Sequence, residues 1–170
     1  MTTSSCVMGF APLISPGARV LVLGTMPGVK SLREQQYYAH PRNAFWPIAA
    51  QVLGFDAHAD YAARCMALTN AGIALWDVLQ ACEREGSLDA NIQAETAVPN
   101  DFQGFLHAYP DIQHVCFNGA KAAALYRRHV LPALAVTREL QYFDLPSTSP
   151  AHAAMSWQEK LARWQRALLV

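Results

Sequence analysis

The sequence predicts a three-layer α/β/α domain on a central, mainly parallel four-stranded sheet, and two observations predict it. Four short apolar segments rich in β-formers read as buried strands: residues 18–24 (ARVLVLG), 72–79 (GIALWDVL), 114–119 (HVCFNG) and 140–147 (LQYFDLPS). Helical patterns stand between them, and strand alternating with helix requires parallel pairing with helices on both faces. With 170 residues, 52% hydrophobic and 15% charged, the chain fills one core, so residues 1–170 are expected to form a single domain.

Each helix has its own signal. In AFWPIAAQVLG, Pro47 lacks an N–H and fits only a first turn, so the helix begins close to Asn43, which serves either as its N-cap or as a functional amide. NDFQGFLHAYP follows a cap-like Asn100, and AKAAALYRRHVLP follows the third strand. The last helix is expected to start at Ser149 as N-cap with Pro150 in its first position. Trp157, Leu161, Trp164 and Leu168, spaced as one helical face, should look into the core.

Composition narrows the function. Formal net charge is zero and the pI is near 7, so no global field draws a polyanion, and nucleic-acid binding must rest on a small basic face such as Arg19, Arg33 and Arg42. Cys6, Cys65, Cys82 and Cys116 form no C-x-x-C pair and offer neither a zinc site nor a disulfide framework. The N-terminus has no basic leader, and no apolar run approaches the roughly 18 residues that span a bilayer. A cytoplasmic protein, without membrane association, is expected.

In a doubly wound sheet, ligands bind outside the carboxyl ends of the strands. That rule selects GTMPG (24–28), LWDVL (75–79), FNG (117–119) and LPSTSPAHA (145–153). GTMPG matches neither dinucleotide nor phosphate-loop spacing, so a nucleotide cofactor is not indicated. The stretch QYYAHPRNAFW (36–46) packs aromatics, His40, Arg42 and Asn43 into one turn. His40 and His152 have the titration range of acid–base groups, although His40 equally suits a ring bonded to the adjacent turn. Lys30, Lys121 and Lys160 fall at positions that read as exposed, which argues against an amine nucleophile.

GTMPG and QYYAHPRNAFW resemble the first motif region of the mismatch-specific uracil-DNA glycosylases, and LPSTSPAHA resembles that superfamily's DNA-intercalating loop. The motifs GTMPG, YYAHPRNAFWPI, GIALWDVLQACEREGSLDANI, FNGAKA and LPSTSPAHA, in this order, are similar to those of the hypoxanthine-DNA (deoxyinosine) glycosylases, over about residues 19–165. The resemblance implies a uracil-DNA glycosylase-like fold and a monofunctional enzyme that hydrolyses the N-glycosidic bond of deoxyinosine in base excision repair, without metal or organic cofactor. Its partner would be double-stranded DNA carrying deaminated bases, with single strands also open, and a monomer is expected. The same fold acting mainly on uracil or xanthine, or a nucleotide-binding module with no DNA role, are the alternatives.

The resemblance also distributes roles. Met26 stands where the mismatch-specific enzymes carry a water-positioning Asn, and a thioether cannot orient water as an amide does. That role passes to Asn43, with Asn118 as the second catalytic residue, donating to and accepting from the purine edge. Tyr38 is expected to stack the flipped base, with Tyr37 as second choice, and Gly24, Met26 and Asp77 to bind it. Asp77 could accept from the base's N1–H or simply serve the strand end. Phe45 and Trp46 should pack the helix on the sheet. Ser147, Thr148, Ser149, Pro150, Ala151 and His152 are the expected DNA contacts, the hydroxyls and a helix N-terminus holding phosphate while Pro150, Ala151 or His152 fills the vacated stack.

Overall fold

A computed structural model describes residues 5–170. In chain order the elements are β1 (Cys6–Met8), β2 (Val20–Gly24), α1 (Val29–Glu34), α2 (Phe45–Leu53), α3 (Tyr61–Asn70), β3 (Ile73–Asp77), β4 (Leu79–Glu83), β5 (Val98–Pro99), α4 (Phe102–Ala108), β6 (His114–Asn118), α5 (Ala120–His129), β7 (Gln141–Leu145) and α6 (Trp157–Leu168).

The four expected strands pair in parallel in the order β3-β2-β6-β7. Alternate residues of β2 enter two cores. Leu21 and Leu23 pack with Phe102, Phe105 and Tyr126 from α4 and α5, while Val20 and Val22 pack with Phe45, Leu68 and Trp164 from α2, α3 and α6. Helices on both faces bury β2 and β3 completely and β6 nearly so, which is why these strands read as apolar runs, whereas β7 at the edge keeps Gln141 and Asp144 exposed. Phe45 and Trp46 are buried, and Arg64 lies over the Trp46 ring at 4.9 Å.

A small antiparallel sheet, β1-β4-β5, is an addition to the expected architecture. The segment read as one strand over residues 72–79 ends at Asp77, and Leu79 opens β4 in this second sheet. Helices α1 and α3 also lacked a sequence signal; only Cys65 and Leu68 of α3 are buried, too few to set a period. Asp101, one residue beyond the expected Asn100, caps α4 by accepting from the Gly104 N–H, and Asn100 instead donates to the Asp77 carbonyl at 2.8 Å.

The C-terminal helix corrects the sequence reading most. It starts at Trp157, not after Ser149, because Ser156 and Glu159 form a capping box that satisfies two backbone donors reciprocally. Residues 146–156 are therefore a loop. Trp157, in the first turn, is 38% exposed instead of facing the core, whereas Trp164 is fully buried with its Nε1–H donating to the Pro146 carbonyl. Lys160, expected outside, is buried and donates from Nζ to the His152 carbonyl at 2.6 Å.

Candidate active site

The carboxyl ends of β2, β3 and β6 open into a cavity of about 160 Å³ whose wall includes Gly24, Met26, Tyr38, Asn43, Asp77 and Asn118. Ser147, Ser149 and Pro150 stand on the same wall. Nine of the twelve residues selected from sequence thus converge on one space. Thr148 lies buried beneath it, and Ala151 and His152 are exposed outside it, His152 bordering a neighbouring cavity with Arg127 and Arg163.

The floor is set by a close approach. Gly24 ends β2 beside Asp77 at the end of β3, and a Cβ on Gly24 would lie 2.6 Å from Asp77 Oδ1 and 3.2 Å from the Tyr38 hydroxyl. Only glycine leaves room for both groups. Asp77 is 4% exposed and its Oδ2 has no hydrogen-bond partner. Burial pushes its carboxyl up to about 7, helped by the charge of Asp89 and opposed by Arg84. At neutral pH this carboxyl is present in both protonation states.

Asn118 ends β6. Its Nδ2 donates to Thr148 Oγ1 at 2.9 Å and its Oδ1 accepts from the Thr148 N–H at 2.9 Å, so the side chain anchors the loop after β7 while one N–H and one lone pair remain for a ligand. The following Gly119 has φ +98°, and a Cβ there would meet Ser147 Cβ at 3.1 Å. The glycine lets this loop seat over the strand end.

The QYYAHPRNAFW turn forms the opposite wall. Tyr37 is buried, its hydroxyl donating to the Ala11 carbonyl at 2.8 Å and its own carbonyl accepting from Trp46 Nε1 at 2.8 Å. Tyr38 follows in the left-handed region at φ +55°, unusual for an aromatic residue. That turn places its ring against Phe45, centroids 4.4 Å apart, and its hydroxyl in the buried floor without a hydrogen-bond partner. Burial, then the Asp77 charge, raises this phenol far above its ordinary range, so it stays a neutral donor.

Asn43 is not the N-cap of α2, a position held by Ala44 without a side-chain bond; it lies one residue earlier. Its Oδ1 accepts from the Phe45 N–H at 2.9 Å at the start of α2, while the side chain borders the cavity. His40 Nδ1 accepts from the Arg42 N–H at 3.1 Å, a local turn. Arg33 and Arg42 are exposed at this end, but Arg19 precedes β2 at the amino end of the sheet, away from the cavity, and cannot share a basic face with them.

Thr25, Ser87 and Asp89 are among the cavity residues to which the sequence reading gave no role. Ser87 and Asp89 come from the segment after β4, brought over the cavity by the second sheet. Ser87 Oγ accepts from the Val29 N–H at 2.9 Å, and buried Arg84 donates to the Pro27 and Gly86 carbonyls at 2.7 Å each. A carboxylate in a Gly-Ser loop was the available signal, but nothing local ties it to GTMPG. Lys30 also borders the cavity, ion-paired with Glu34.

Among the described residues no group of three or more His, Cys, Asp or Glu is arranged to hold a metal, the four cysteines are free, and no helix is long and apolar enough to cross a membrane.

Comparison with known proteins gives the arrangement its family. Residues 11–169 match the model of the uracil DNA glycosylase superfamily. A protein of Methanosarcina barkeri named hypoxanthine DNA glycosylase is 39% identical over 115 residues, 67% of this chain and 72% of that one. Its namesake from Methanosarcina acetivorans is 37% identical over the same shares. The solution NMR structure of a Methanosarcina acetivorans protein named for a suspected uracil DNA glycosylase activity superposes with a TM-score of 0.81 at 31% identity, over 96% of this chain and 97% of that one. A parallel four-stranded sheet between two helical layers, a cavity at its carboxyl end and a family match over nearly the whole chain agree: this protein belongs to the uracil DNA glycosylase superfamily.

Proposed function

We propose that the protein is a monofunctional DNA glycosylase that hydrolyses the N-glycosidic bond of deoxyinosine, releasing hypoxanthine and leaving an abasic site in double-stranded DNA. The observation that carries this reading is the cavity's content: a buried carboxyl, an anchored amide and an aromatic ring around a space at the strand ends. The name shared by the two Methanosarcina relatives supports hypoxanthine as the base.

Each residue has a task in that reaction. A glycosylase cannot reach the bond inside a duplex, so the nucleotide is flipped into the pocket, where Tyr38, braced by Phe45, offers a ring for stacking. Asp77 meets the lactam edge of the base, and Gly24 and Met26 close the floor beside it. As the C1′–N9 bond breaks, positive charge grows on the sugar and negative charge on the departing purine. The free N–H of Asn118 stabilises the second, and one well-placed donor of this kind is worth roughly 2.7–4 kcal/mol. Asn43 keeps a lone pair on Oδ1 beyond the one given to the Phe45 N–H, and it orients the attacking water.

Ser147, Ser149 and Pro150 at the mouth, with Thr148 beneath and Ala151 and His152 beyond, face the duplex. The expected helix N-terminus takes no part, since the Ser149 and Ala151 N–H groups are already used by Ser147 and Ser149 hydroxyls. Oγ lone pairs and exposed side chains make the phosphate contacts instead. Lys30 is held by Glu34, which supports hydrolysis over amine attack on the sugar. The enzyme works as a monomer, and in the cytoplasm, a compartment that suits its free thiols, Cys6 exposed and Cys65, Cys82 and Cys116 buried.

End-labelled duplexes carrying one hypoxanthine, uracil or xanthine, cut at abasic sites by alkali, test the reading beside Asn43→Ala and Asn43→Asp. Excision of hypoxanthine is expected, lost in the alanine variant, whose missing hydrogen bond to the Phe45 N–H costs about 1 kcal/mol of stability. Well-folded protein that cuts at none of the three lesions would sink the glycosylase reading.

A further inference from the structure

Asp89 is the one carboxyl of the cavity to which the reaction above gives no task. It sits in a short 3-10 turn, Asp89–Asn91, within the segment that the second sheet carries over the pocket. That segment is fixed to the GTMPG turn at two points, Ser87 Oγ to the Val29 N–H and Arg84 Nη2 to the Pro27 carbonyl. The pocket therefore holds two carboxyl groups, and the second, Asp77, is 4% exposed with Oδ2 unpartnered inside the cavity wall.

We propose that Asp89 is a positioning residue for base recognition, a second acid in the pocket that acts through Asp77 and fixes it as a hydrogen-bond donor as well as an acceptor. The inference rests on the glycosylase reading and deepens it. A deaminated base presents an N–H beside a C=O, and a protonated carboxyl matches that edge with its own C=O and O–H, two hydrogen bonds in one plane. An ionised carboxylate could accept from the N–H with one oxygen but would set its other oxygen against the base's carbonyl.

The surroundings decide which acid keeps the proton. Asp77 lies near Tyr37 and Tyr38 from the turn before α2, both neutral, shares the cavity wall with neutral Asn118 of β6, and feels Arg84, which follows β4 and whose attraction is outweighed by burial and by the Asp89 charge. Asp89 is also raised by burial, but the Thr25 hydroxyl, Arg84 and Lys121 of α5 favour its ionised form, and its side chain is only half-buried. Two carboxyls that share a cavity and feel each other's charge titrate as a pair, with the first proton going to the drier site.

The test is single-turnover excision of hypoxanthine by the full chain and its variants, from about pH 5 to about pH 9. The wild-type rate falls on the alkaline side with a midpoint near the Asp77 value of about 7. Asp89→Asn, which keeps the size, moves that midpoint down by about one pH unit, because a neighbouring negative charge no longer holds the proton. Asp77→Asn, whose amide offers N–H and C=O at every pH, loses the limb. An Asp89→Asn profile that keeps the wild-type midpoint, or one lowered equally at all pH values, overturns the proposal. Carboxyl 13C shifts of Asp77 in the DNA-free protein give the same comparison without catalysis. If the wild type excises nothing, the glycosylase reading fails, while an unmoved Asp77 titration in Asp89→Asn overturns the coupling itself.

Discussion

Two loops cross the carboxyl end of the sheet, and they are held in different ways. The turn over residues 36–44 is tied along its length: Tyr37 N–H to the Tyr61 hydroxyl, the Tyr37 hydroxyl to Ala11, the Ala39 N–H to Ser31 Oγ, and Asn43 to Phe45. The loop over residues 146–156 is tied at one half. Thr148 bonds Asn118 twice and its carbonyl accepts from Ala44, joining the two loops, but Ala151 to Ala154 are exposed. The first loop presents fixed groups to a bound base, and the second presents a surface to whatever lies outside. The difference follows from demand: orienting a reacting atom tolerates little misplacement, whereas contact with a backbone tolerates more.

The largest effect is expected where the loops meet. Asn118→Ala should lower the excision rate by roughly 10²–10³-fold. It should also lower stability by about 2 kcal/mol, because the buried Thr148 N–H and hydroxyl lose their partner. Single-turnover kinetics and a denaturant melt on the same preparation separate the two losses.

Next comes the floor between the loops. The Asp77 carboxyl is raised from 3.8 to about 7 on folding, so the folded state binds more protons than the unfolded state between those values. Stability therefore falls as pH rises from about 4 to about 7 and levels off above, a loss on the order of 4 kcal/mol if this group acts alone. Asp77→Asn should flatten that decline, gaining most over wild type above neutrality; a parallel decline in both proteins would show that other groups set it.

Smaller effects separate the loops themselves. Lys160→Met removes the hydrogen bond to the His152 carbonyl and should cost about 1 kcal/mol. Duplex affinity should fall several-fold, with the pocket chemistry of bound substrate retained. Tyr38→Phe should be the mildest, within about 0.5 kcal/mol in stability, since the phenol oxygen has no hydrogen-bond partner to lose. A large loss of excision in that variant, at unchanged melting temperature, would assign the hydroxyl a direct part in the reaction.

The four strands and α2 were legible because they obey local rules: buried parallel strands are apolar on both faces, and Pro47 admits one helix start. The start of α6 was misread because Ser149-Pro150 and Ser156 through Glu159 both carry helix-start signals, and a capping box that closes two bonds outcompetes a cap that closes one. Trp157 looked like core for the same reason, since a periodic pattern carries no statement of where the protein ends.

The sequence by itself determined the fold class, the end of the sheet that carries the site, and nine of the residues that line it. The first two follow from periodicity, turn chemistry and the rule that parallel strands open at their carboxyl ends, and the residues were selected through the motifs' resemblance to the glycosylases. Only the tertiary structure decided that Asn118 spends half its amide on Thr148, that Asn43 accepts from the Phe45 N–H while bordering the cavity, and that Arg19 lies at the wrong end of the sheet. It alone brought Asp89 beside Asp77, twelve positions away across a second sheet. Burial and charge coupling depend on distance through space, and distance through space is what one-dimensional spacing does not encode beyond a helix turn or a strand pair.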